Sequence, residues 1–363
     1  MSTRPILVMA GGTGGHVFPA LAVARVLRAQ GAEVVWLGTR AGLEARVVPA
    51  AGFPVAWVRV RGLRGKGLAQ RLQAPFMLAL ALLQSLWVMA RLRPAAVLGM
   101  GGFVTGPGGL VAWLLRRPLL IHEQNSVAGM TNRWLAPLAR QVLAAFPGAL
   151  PGARLTGNPV RDDIAALPAP AARLAGRAGA PRLLVLGGSL GAQVLNETLP
   201  AAIALLPDAL RPEVWHQTGT RHLEAGRAAY IAADVPARVE AFVEDMAAAY
   251  GWADLVVCRA GALTVAELAA AGVGAILVPY PHAVDDHQTG NARYLADQGA
   301  ALLLPQPELN AARLGGLLGE LFGDRERLRD MAQKARALAR PDAAEQVARA
   351  CLAAAGREWR AAA

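Results

Sequence analysis

Short apolar runs alternate with longer segments of helical periodicity through most of this chain. Apolar runs without polar alternation are typical of strands buried on both faces of a parallel sheet, and the helical segments between them can cross from one strand to the next. The order therefore predicts an α/β fold built on doubly wound parallel sheets. The predicted strands lie at residues 5–10, 32–38, 95–100, 118–123, 182–188, 213–219, 254–260 and 274–280.

The two halves of the chain open in the same way. "LVMAGGTGGH" (7–16) and "LLVLGGSLGAQ" (183–193) each set a glycine-rich turn directly after a first strand and directly before a helix. Residues 156–182, between the halves, are rich in proline, glycine and alanine, and the strand–helix rhythm is lost there. We predict two Rossmann-like domains, residues 1–160 and 161–341, facing a cleft that holds a ligand.

The glycine-rich turns favour an anion. Neither is a complete G-x-G-x-x-G fingerprint, and neither carries the lysine and hydroxyl of a P-loop, so redox dinucleotides and ATP hydrolysis are poorly supported. A purely structural role remains open for each turn alone. Two turns in register are better explained by backbone N–H groups at helix starts, which bind phosphate or developing negative charge.

A third helix start follows the strand in "VCRAGALTVAELAAAG" (257–272). Gly261 allows a tight turn, Thr264 can begin a helix, and Glu267 falls in its early turns. The N–H groups of this start suit a diphosphate, and a carboxylate close behind them can accept hydrogen bonds from both hydroxyls of a ribose. A favourable interaction of Glu267 with the helix dipole is the simpler alternative. Together with the two glycine turns, the pattern predicts a nucleotide site.

The loop "YPHAVDDHQTGNA" (280–292) gathers imidazole, carboxylate and amide side chains. These groups lack a clean metal-ligand spacing, and their donors and acceptors suit the hydroxyl groups of a sugar. The chain also has no D-x-D triplet, the usual means by which nucleotide-sugar enzymes hold a divalent cation on the diphosphate. We therefore expect no metal and no cofactor, with the charge of a leaving group stabilised by helix ends.

Composition limits the class of protein. With 363 residues, 54% of them hydrophobic and 17% charged, the chain is too apolar for a disordered protein and long enough for two cores. Cys258 and Cys351 lie far apart and predict neither a disulfide framework nor a zinc site. The apolar stretch near the first residue is too short for a secretory signal, so we expect a cytoplasmic location.

The net charge of +11 is concentrated in one block. No acidic residue lies between Glu44 and Glu123, where Arg64, Lys66 and Arg71 belong to a long basic run. Inside this block, residues 72–90 carry no charge, and Arg71 and Arg91 flank them. The apolar positions at helical spacing are Leu72, Phe76, Leu80, Leu83 and Trp87, while Leu78, Leu82, Leu86 and Met89 lie off that stripe.

Three interpretations of this helix stay open. The stripe is what a helix with one core-facing side presents. The additional apolar positions, rimmed by arginines, fit a helix that lies in the interface of an anionic membrane. A membrane span is the weakest of the three, because the apolar run is diluted by Gln73, Pro75, Gln84 and Ser85.

Seven motifs in order resemble the MurG family of glycosyltransferases. They extend from about residue 6 to about residue 341, and any one of them alone is weak. The motifs are "GGTGGHVFPA", "LGMGGFVTGPG", "HEQNSVAGMTNRWLA", "GNPVR", "LGGSLGAQVLN", "VEDMAAAYGWADLVVCRAGALTVAEL" and "DDHQTGNA". The resemblance implies the GT-B architecture, with the donor held mainly by the second domain, the acceptor by the first, and residues 342–363 packing back on the first domain.

The resemblance also implies an activity and its partners. Members transfer N-acetylglucosamine from UDP-N-acetylglucosamine to lipid I, the undecaprenyl-pyrophosphoryl N-acetylmuramoyl-pentapeptide, and so make lipid II for peptidoglycan and cell wall synthesis. We expect a peripheral protein on the cytoplasmic side of the cell membrane, with no nucleic acid partner. The expected membrane-facing residues are Leu72, Phe76, Leu80, Trp87, Arg64, Lys66 and Arg71.

Site residues carry over from the resemblance motif by motif. Thr13, Gly14 and Gly15 are expected at the sugar and diphosphate, Ser189 at a donor phosphate, and Asn125 and Arg161 at the donor pocket. In the second half the expected substrate-binding residues are Val243, Ala262, Leu263, Thr264, Val265, Ala266, Glu267 and Gln288. The family pattern often has a glutamine where His287 stands here, which puts one sugar contact in question.

His16 is the expected catalytic residue. Its imidazole lies directly behind the glycine turn and is suited to take the proton from the acceptor's C4 hydroxyl as that oxygen attacks the anomeric carbon. A histidine that only holds the loop or a substrate is the alternative. A single in-line displacement by this route inverts the anomeric centre.

Three other functions remain to be compared. A non-hydrolysing UDP-N-acetylglucosamine 2-epimerase shares the architecture and donor but needs no lipid surface. A glycosyltransferase acting on another lipid would keep the apolar helix but should lack the "HEQN" and "GNPVR" motifs. A basic nucleic-acid binder is disfavoured by an aromatic content of 5% and the lack of any stacking platform or recognition motif.

Overall fold

The computed structural model describes residues 4–60, 68–188 and 191–360, without the side chains of 68–74. The described chain forms two compact units. The first contains the residues up to Arg161 together with those from Arg340 onward, and the second runs from Asp162 to Ala339.

The first unit is built on a seven-stranded parallel sheet in the order β3-β2-β1-β4-β5-β6-β7. The strands are β1 Ile6–Met9, β2 Val34–Gly38, β3 Val55–Trp57, β4 Ala96–Gly99, β5 Leu119–Glu123, β6 Gln141–Ala144 and β7 Arg154–Leu155. The helices up to the boundary are α1 Gly14–Ala29, α2 Glu44–Ala50, α3 Leu68–Leu92, α4 Thr105–Leu114 and α5 Met130–Leu135.

The second unit has a six-stranded parallel sheet in the order β10-β9-β8-β11-β12-β13. Its strands are β8 Arg182–Leu186, β9 Glu213–Gln217, β10 Arg238–Glu240, β11 Leu255–Cys258, β12 Gly274–Leu277 and β13 Ala301–Leu303. Its helices are α6 Asp162–Ala165, α7 Pro170–Arg173, α8 Gln193–Ala204, α9 Leu223–Ala232, α10 Met246–Trp252, α11 Ala262–Ala271, α12 His287–Ala296, α13 Ala311–Gly323 and α14 Arg325–Ala337. A last helix, α15 Ala343–Ala354, belongs to the first unit, where it packs against α1.

Alternation along β1 explains the two-sided core of the first unit. Ile6 and Val8 face the layer that contains α1 and α15, and Leu7 and Met9 face the layer that contains α3 and α4. The second unit has an equivalent core, in which β8, β11 and β12 pack against α8 and α13. The prediction of two α/β units with parallel sheets is confirmed.

Each of the eight predicted strands contains an observed strand, but five strands were missed. Four of them, β3, β7, β10 and β13, are the outermost strands of their sheets, and β6 lies next to β7. They have only two to four residues, and half-buried or charged positions such as Arg154 and Arg238 interrupt the apolar pattern. Strands this short carry too little periodicity to predict.

Of the three interpretations of α3, the one in which the predicted stripe faces the core is wrong. Phe76, Leu83 and Trp87 are 75%, 64% and 63% exposed, whereas Val88 is 4% exposed and Ala81, Ser85 and Met89 are fully buried. Helix α3 contacts α4, and Val88 and Met89 join the core cluster that contains Val111 and Ala112 of α4. Residues Pro75–Leu92 are long and apolar enough to cross a membrane, although only 22% of this segment is buried within the protein.

Candidate active site

The glycine-rich turn of the first unit leads into α1. Thr13 is the N-cap, and Gly14, Gly15 and His16 are the first three residues of the helix. Gly12 has a φ of +92°, which L side chains rarely adopt, so the turn requires glycine there. The first turn of α1 contains no acidic residue, and the Thr13 side chain makes no capping hydrogen bond. This helix start is therefore suited to a negatively charged group.

A second glycine-rich segment closes on the same turn. A Cβ at Gly102 would lie 2.3 Å from the carbonyl oxygen of Gly11, and a Cβ at Gly101 would lie 2.7 Å from Nδ1 of His16. Both positions also have positive φ angles. Only glycine allows the backbone after β4 to approach the turn and the imidazole this closely. The half-buried His16 ring is therefore held in one place.

Glu44 supports the glycine-rich turn through hydrogen bonds to its backbone. This side chain is fully buried, and its carboxylate accepts hydrogen bonds from the N–H of Gly12 (3.0 Å) and from the N–H and hydroxyl of Thr39 (3.0 and 2.7 Å). Charge-assisted bonds of this kind are among the strong ones in proteins. The carboxylate therefore fixes the path of the backbone just before α1.

A series of hydrogen-bonded side chains connects His16 with the sheet. Nδ1 of His16 lies 3.0 Å from Oε1 of Gln124, whose Nε2 lies 3.2 Å from Nδ1 of His122; Nε2 of His122 lies 3.0 Å from the carbonyl oxygen of Gly157. Gln124 is 1% exposed and His122 is fully buried. Burial lowers the pKa of His122 from 6.5 to about 4, so the ring is neutral at physiological pH.

The residues after Gln124 form a turn around Glu123. This buried carboxylate accepts hydrogen bonds from the N–H of Asn125 (2.9 Å), the N–H of Gly129 (3.1 Å) and the amide of Asn132 (2.8 Å). The expected donor-site residue Asn125 thus lies at the carboxyl end of β5, beside Gln124. The other residue expected there, Arg161, is half-buried and is the last residue of this part of the first unit.

In the second unit the predicted nucleotide segment forms the start of α11. Gly261 is the N-cap and Ala262 the first helical residue, so the prediction that Thr264 begins the helix is wrong by two residues. The cause is that Gly261 adopts the extended conformation of an N-cap (φ −63°, ψ 143°) in place of the predicted tight turn. The first turn again contains no acidic residue.

Residues 262–266 divide between surface and core. The side chains of Ala262 and Val265 are 7% and 0% exposed, so any contact they make with a ligand must use their backbone. Leu263, Thr264 and Ala266 are half-buried. Only these three positions of the segment can offer a side chain to a ligand.

Glu267 lies in the second turn of α11 and is half-buried. Its Oε2 accepts a hydrogen bond of 3.1 Å from the hydroxyl of Tyr250, a fully buried side chain of α10. Sequence reasoning missed Tyr250, because nothing in the pattern connects α10 with this carboxylate. The bond restricts the orientation of the Glu267 carboxylate.

The remaining predicted residues of this unit fall at loop ends. Val243 is 2% exposed, so a contact with a base would have to use its backbone. Gln288, in the first turn of α12, accepts a hydrogen bond of 2.9 Å from the N–H of Tyr280 through Oε1. His287 donates from Nδ1 to the carbonyl oxygen of Val284 (2.7 Å). Ser189 lies outside the described residues.

Two consecutive aspartates at the start of α12 have unusual backbone angles. Asp285 and Asp286 have φ angles of +54° and +48°, where residues other than glycine cost about 1 kcal/mol or more. Such strain concentrates at functional segments, and here it sets the position of Gln288. Among the described residues, no group of three or more His, Cys, Asp or Glu side chains is arranged to hold a metal ion.

Buried neutral histidines predict an acid-sensitive fold. Burial lowers the pKa of His122 to about 4 and that of His216, which contacts Tyr230, to about 3. The unfolded chain binds these protons near pH 6.5, so the stabilisation is complete above that pH and is lost as the pH falls toward 4, by about 3 kcal/mol for His122 alone. The melting temperature should decrease as the pH is lowered from 6.5 to 4. His216→Phe should flatten that slope, and an unchanged slope would contradict the assignment.

Comparison with known proteins identifies the family of this chain. Residues 6–144 match the glycosyltransferase family 28 N-terminal domain, and residues 182–347 match the family 28 C-terminal domain. Two relatives carry the name UDP-N-acetylglucosamine–N-acetylmuramyl-(pentapeptide) pyrophosphoryl-undecaprenol N-acetylglucosamine transferase. The protein from Nitrosococcus oceani is 61% identical over 96% of this chain and 98% of its own length, and that from Alkalilimnicola ehrlichii is 62% identical over 96% and 99%.

Solved structures agree with the sequence matches. The crystal structure of Acinetobacter baumannii MurG has a TM-score of 0.85 at 43% identity and covers 96% of this chain and 99% of that one. A glycosyltransferase of kitacinnamycin, with a TM-score of 0.68 at 21% identity over 95% and 99%, shares the fold alone. The chain therefore belongs to glycosyltransferase family 28 and, within it, to the MurG family.

Proposed function

We propose that this chain transfers N-acetylglucosamine from UDP-N-acetylglucosamine to the C4 hydroxyl of the N-acetylmuramoyl-pentapeptide of lipid I, which yields lipid II for peptidoglycan synthesis. One observation carries the proposal: relatives that match over 96% of the chain at 61% and 62% identity are named for this transfer. Within this proposal, the described residues are assigned the roles of a base, of helix starts that bind phosphate and of a carboxylate that binds the ribose.

His16 acts as the general base. The C4 oxygen of the acceptor attacks the anomeric carbon while the bond from that carbon to the diphosphate oxygen breaks. The C4 hydroxyl proton passes to the imidazole, and UDP leaves with the electron pair. Because attack and departure occur on opposite sides of one carbon, the configuration inverts. General base catalysis of this kind contributes about 10²–10⁴-fold to a rate.

Each unit has a helix start with a positive electrostatic potential that suits phosphate. α1 and α11 both begin without an acidic residue in the first turn, so the positive ends of their dipoles are not neutralised there. Thr13, Gly14 and Gly15 at α1, and residues 262–264 at α11, present backbone N–H groups to phosphate oxygens. These fixed dipoles stabilise the growing charge on UDP without a metal ion.

The second unit supplies the donor contacts. Glu267 accepts hydrogen bonds from the ribose hydroxyls, and Tyr250 holds the carboxylate in place. Gln288 binds hydroxyls of the transferred sugar through its Nε2, because its Oε1 is engaged by Tyr280. The backbone of Val243 is a further proposed donor contact of this unit, and the donor-site roles expected for Ser189, Asn125 and Arg161 stay predictions.

A turnover assay tests the reaction. UDP release is followed with UDP-N-acetylglucosamine alone, and then with a short-chain lipid I analogue, each with and without chelator. The proposal predicts release only in the presence of the acceptor and no effect of the chelator. Acceptor-independent conversion of the donor would indicate a 2-epimerase, and a loss of activity with chelator would contradict the metal-free mechanism.

We further propose that α3 and α4 dock on the cytoplasmic face of the anionic cell membrane, which makes the protein peripheral. Trp113 and Leu114 of α4, a helix that contacts α3, are 47% and 61% exposed. Arg93 and Arg116, directly after these helices, are exposed and adopt left-handed angles in which glycine is usual. Cations at the rim of an apolar surface match anionic headgroups.

The membrane-facing residues predicted from sequence are only partly covered by the described structure. Phe76 and Trp87 are exposed and fit the docking surface, and Leu80 is half-buried. Arg64 and Lys66 lie outside the described residues, as do the side chains of Arg71 and Leu72.

Removing apolar area from this surface should release the protein from vesicles. The variant Phe76→Ser/Leu83→Ser/Trp87→Ser loses three exposed apolar side chains, and its partition into anionic vesicles should fall at least tenfold, since each buried side chain contributes on the order of 1 kcal/mol or more. Turnover with a water-soluble acceptor should be unchanged. Leu205→Ser/Ile231→Ser, at exposed positions of the second unit, is the matched control. Equal partition of both variants would contradict membrane docking.

A further inference from the structure

The hydrogen bonds from Gly157 through His122 and Gln124 to His16 end on the proposed base. We propose that Gln124 is a positioning residue that holds His16 with its proton on Nδ1, so that Nε2 carries the lone pair that accepts the C4 proton. This inference rests on the proposed role of His16 and adds the state of the ring that the role requires.

The direction of every hydrogen bond in this series is fixed by its buried end, at Gly157. The carbonyl oxygen of Gly157 can only accept a hydrogen bond, so Nε2 of His122, 3.0 Å away, must carry a proton. A neutral imidazole has one N–H, and this ring is fully buried and uncharged, so its Nδ1 is an acceptor. The first link thus determines the donor and acceptor at the next.

The amide of Gln124 then has only one orientation. The atom 3.2 Å from Nδ1 of His122 must be a donor, which makes it Nε2. The same Nε2 also lies 3.2 Å from the backbone carbonyl oxygen of His122, a second pure acceptor. Two acceptors therefore hold the NH₂ group, and the amide oxygen is directed at His16. A flipped amide would place an oxygen against a lone pair and another oxygen.

The amide oxygen determines the state of His16. Oε1 of Gln124 can only accept, so Nδ1 of His16, 3.0 Å away, carries the proton. In water, free histidine prefers its proton on Nε2, which would leave no lone pair at that nitrogen. Because Gln124 is 1% exposed, water does not compete for the bond. The close approach of Gly101 also restricts rotation of the ring.

The arrangement also serves the reaction after proton transfer. When Nε2 accepts the C4 proton, the imidazolium keeps its Nδ1–H bond to the amide oxygen. A neutral amide orients the ring without adding a negative charge, in contrast to the aspartate partners of hydrolytic triads. The ring returns to the starting state when Nε2 releases its proton to water.

Nitrogen NMR of the full chain tests the inference directly. The protein is labelled with ¹⁵N-histidine, and the His16 signals among the six histidines are identified by their loss in His16→Gln. We expect a protonated Nδ1 and an unprotonated Nε2 in the wild type at pH 8. Gln124→Leu removes the acceptor, so the Nε2–H form should appear and kcat should fall about 10- to 100-fold, with KM for the donor changed less than twofold.

Gln124→Glu provides the matched comparison: one carboxyl oxygen can still accept from Nδ1 of His16, and the other, which replaces Nε2, faces the two acceptors of His122 with a proton between them. It should restore the Nδ1–H form and recover kcat relative to Gln124→Leu, and it carries the test where the leucine variant does not fold. A wild-type His16 with its proton on Nε2, or identical spectra and kcat for the two variants, would overturn the inference. The spectra do not depend on turnover. A wild-type protein that shows the Nδ1–H form without transferring sugar would overturn the proposed function alone.

Discussion

Replacing His16 with alanine should lower kcat for N-acetylglucosamine transfer by about 10²–10⁴-fold, the range of a lost general base. The affinity for UDP should change little, because the backbone N–H groups of Gly14 and Gly15 remain at the helix start. Alanine is a good helix former, so α1 should persist. Single-turnover rates with a short-chain lipid I analogue, with UDP binding by calorimetry, measure both effects.

Arg25→Ala is the matched control for this experiment, because Arg25 is an exposed residue of the same helix. Its kcat should equal that of the wild type. If His16→Ala retained most of the activity at an unchanged melting temperature, His16 would be a residue that holds the loop, and another group would have to be the base.

Replacing Glu267 with glutamine should weaken binding of UDP-N-acetylglucosamine about 10- to 100-fold. Hydrogen bonds from neutral groups to a charged acceptor contribute about 1.5–3 kcal/mol, and the amide offers the ribose one weak acceptor in place of the carboxylate. The glutamine still accepts from Tyr250, which avoids an unpaired hydroxyl in the core. Calorimetry with UDP and with the sugar nucleotide gives the affinities.

The effect of Tyr250 should depend on Glu267. Tyr250→Phe alone should weaken donor binding by less than tenfold, because the carboxylate loses only its positioning bond, and the double variant should show less than the sum of the two free-energy changes. Glu320→Gln, at an exposed glutamate of α13, is the control and should bind like the wild type. Unchanged affinity in Glu267→Gln would remove this residue from the ribose site.

The sheets could be predicted from sequence because their central strands are continuous apolar runs. β1, β4, β8 and β11 are buried on both faces, which gives a strong and local signal. The sheet edges could not be predicted, since the order of strands depends on contacts between residues far apart in the chain. The same holds for the exposed side of α3: the apolar positions can be located from the sequence, but which of them are buried depends on packing against other elements such as α4.

The helix starts of the site were predicted, and the residues that support them were not. The glycine cluster around Gly12 marks the turn before α1, whereas the single Gly261 is the N-cap of α11, which begins two residues before the predicted Thr264. Gln124 meets His16 across 108 positions of the chain, and Glu44 meets Gly12 across 32. One signal was available for Gln124, since it follows a predicted strand and the carboxyl ends of parallel strands meet at one edge.

The most direct test of the account is the linkage formed by the wild-type protein. UDP-N-acetylglucosamine labelled with ¹³C at the anomeric carbon is incubated with a short-chain lipid I analogue, and the product is examined by NMR. The account predicts a β-linked disaccharide joined to C4 of the N-acetylmuramoyl unit, because one displacement assisted by His16 inverts the α-linked donor. An α linkage, a different acceptor hydroxyl, or label recovered only in an epimerised donor would contradict it.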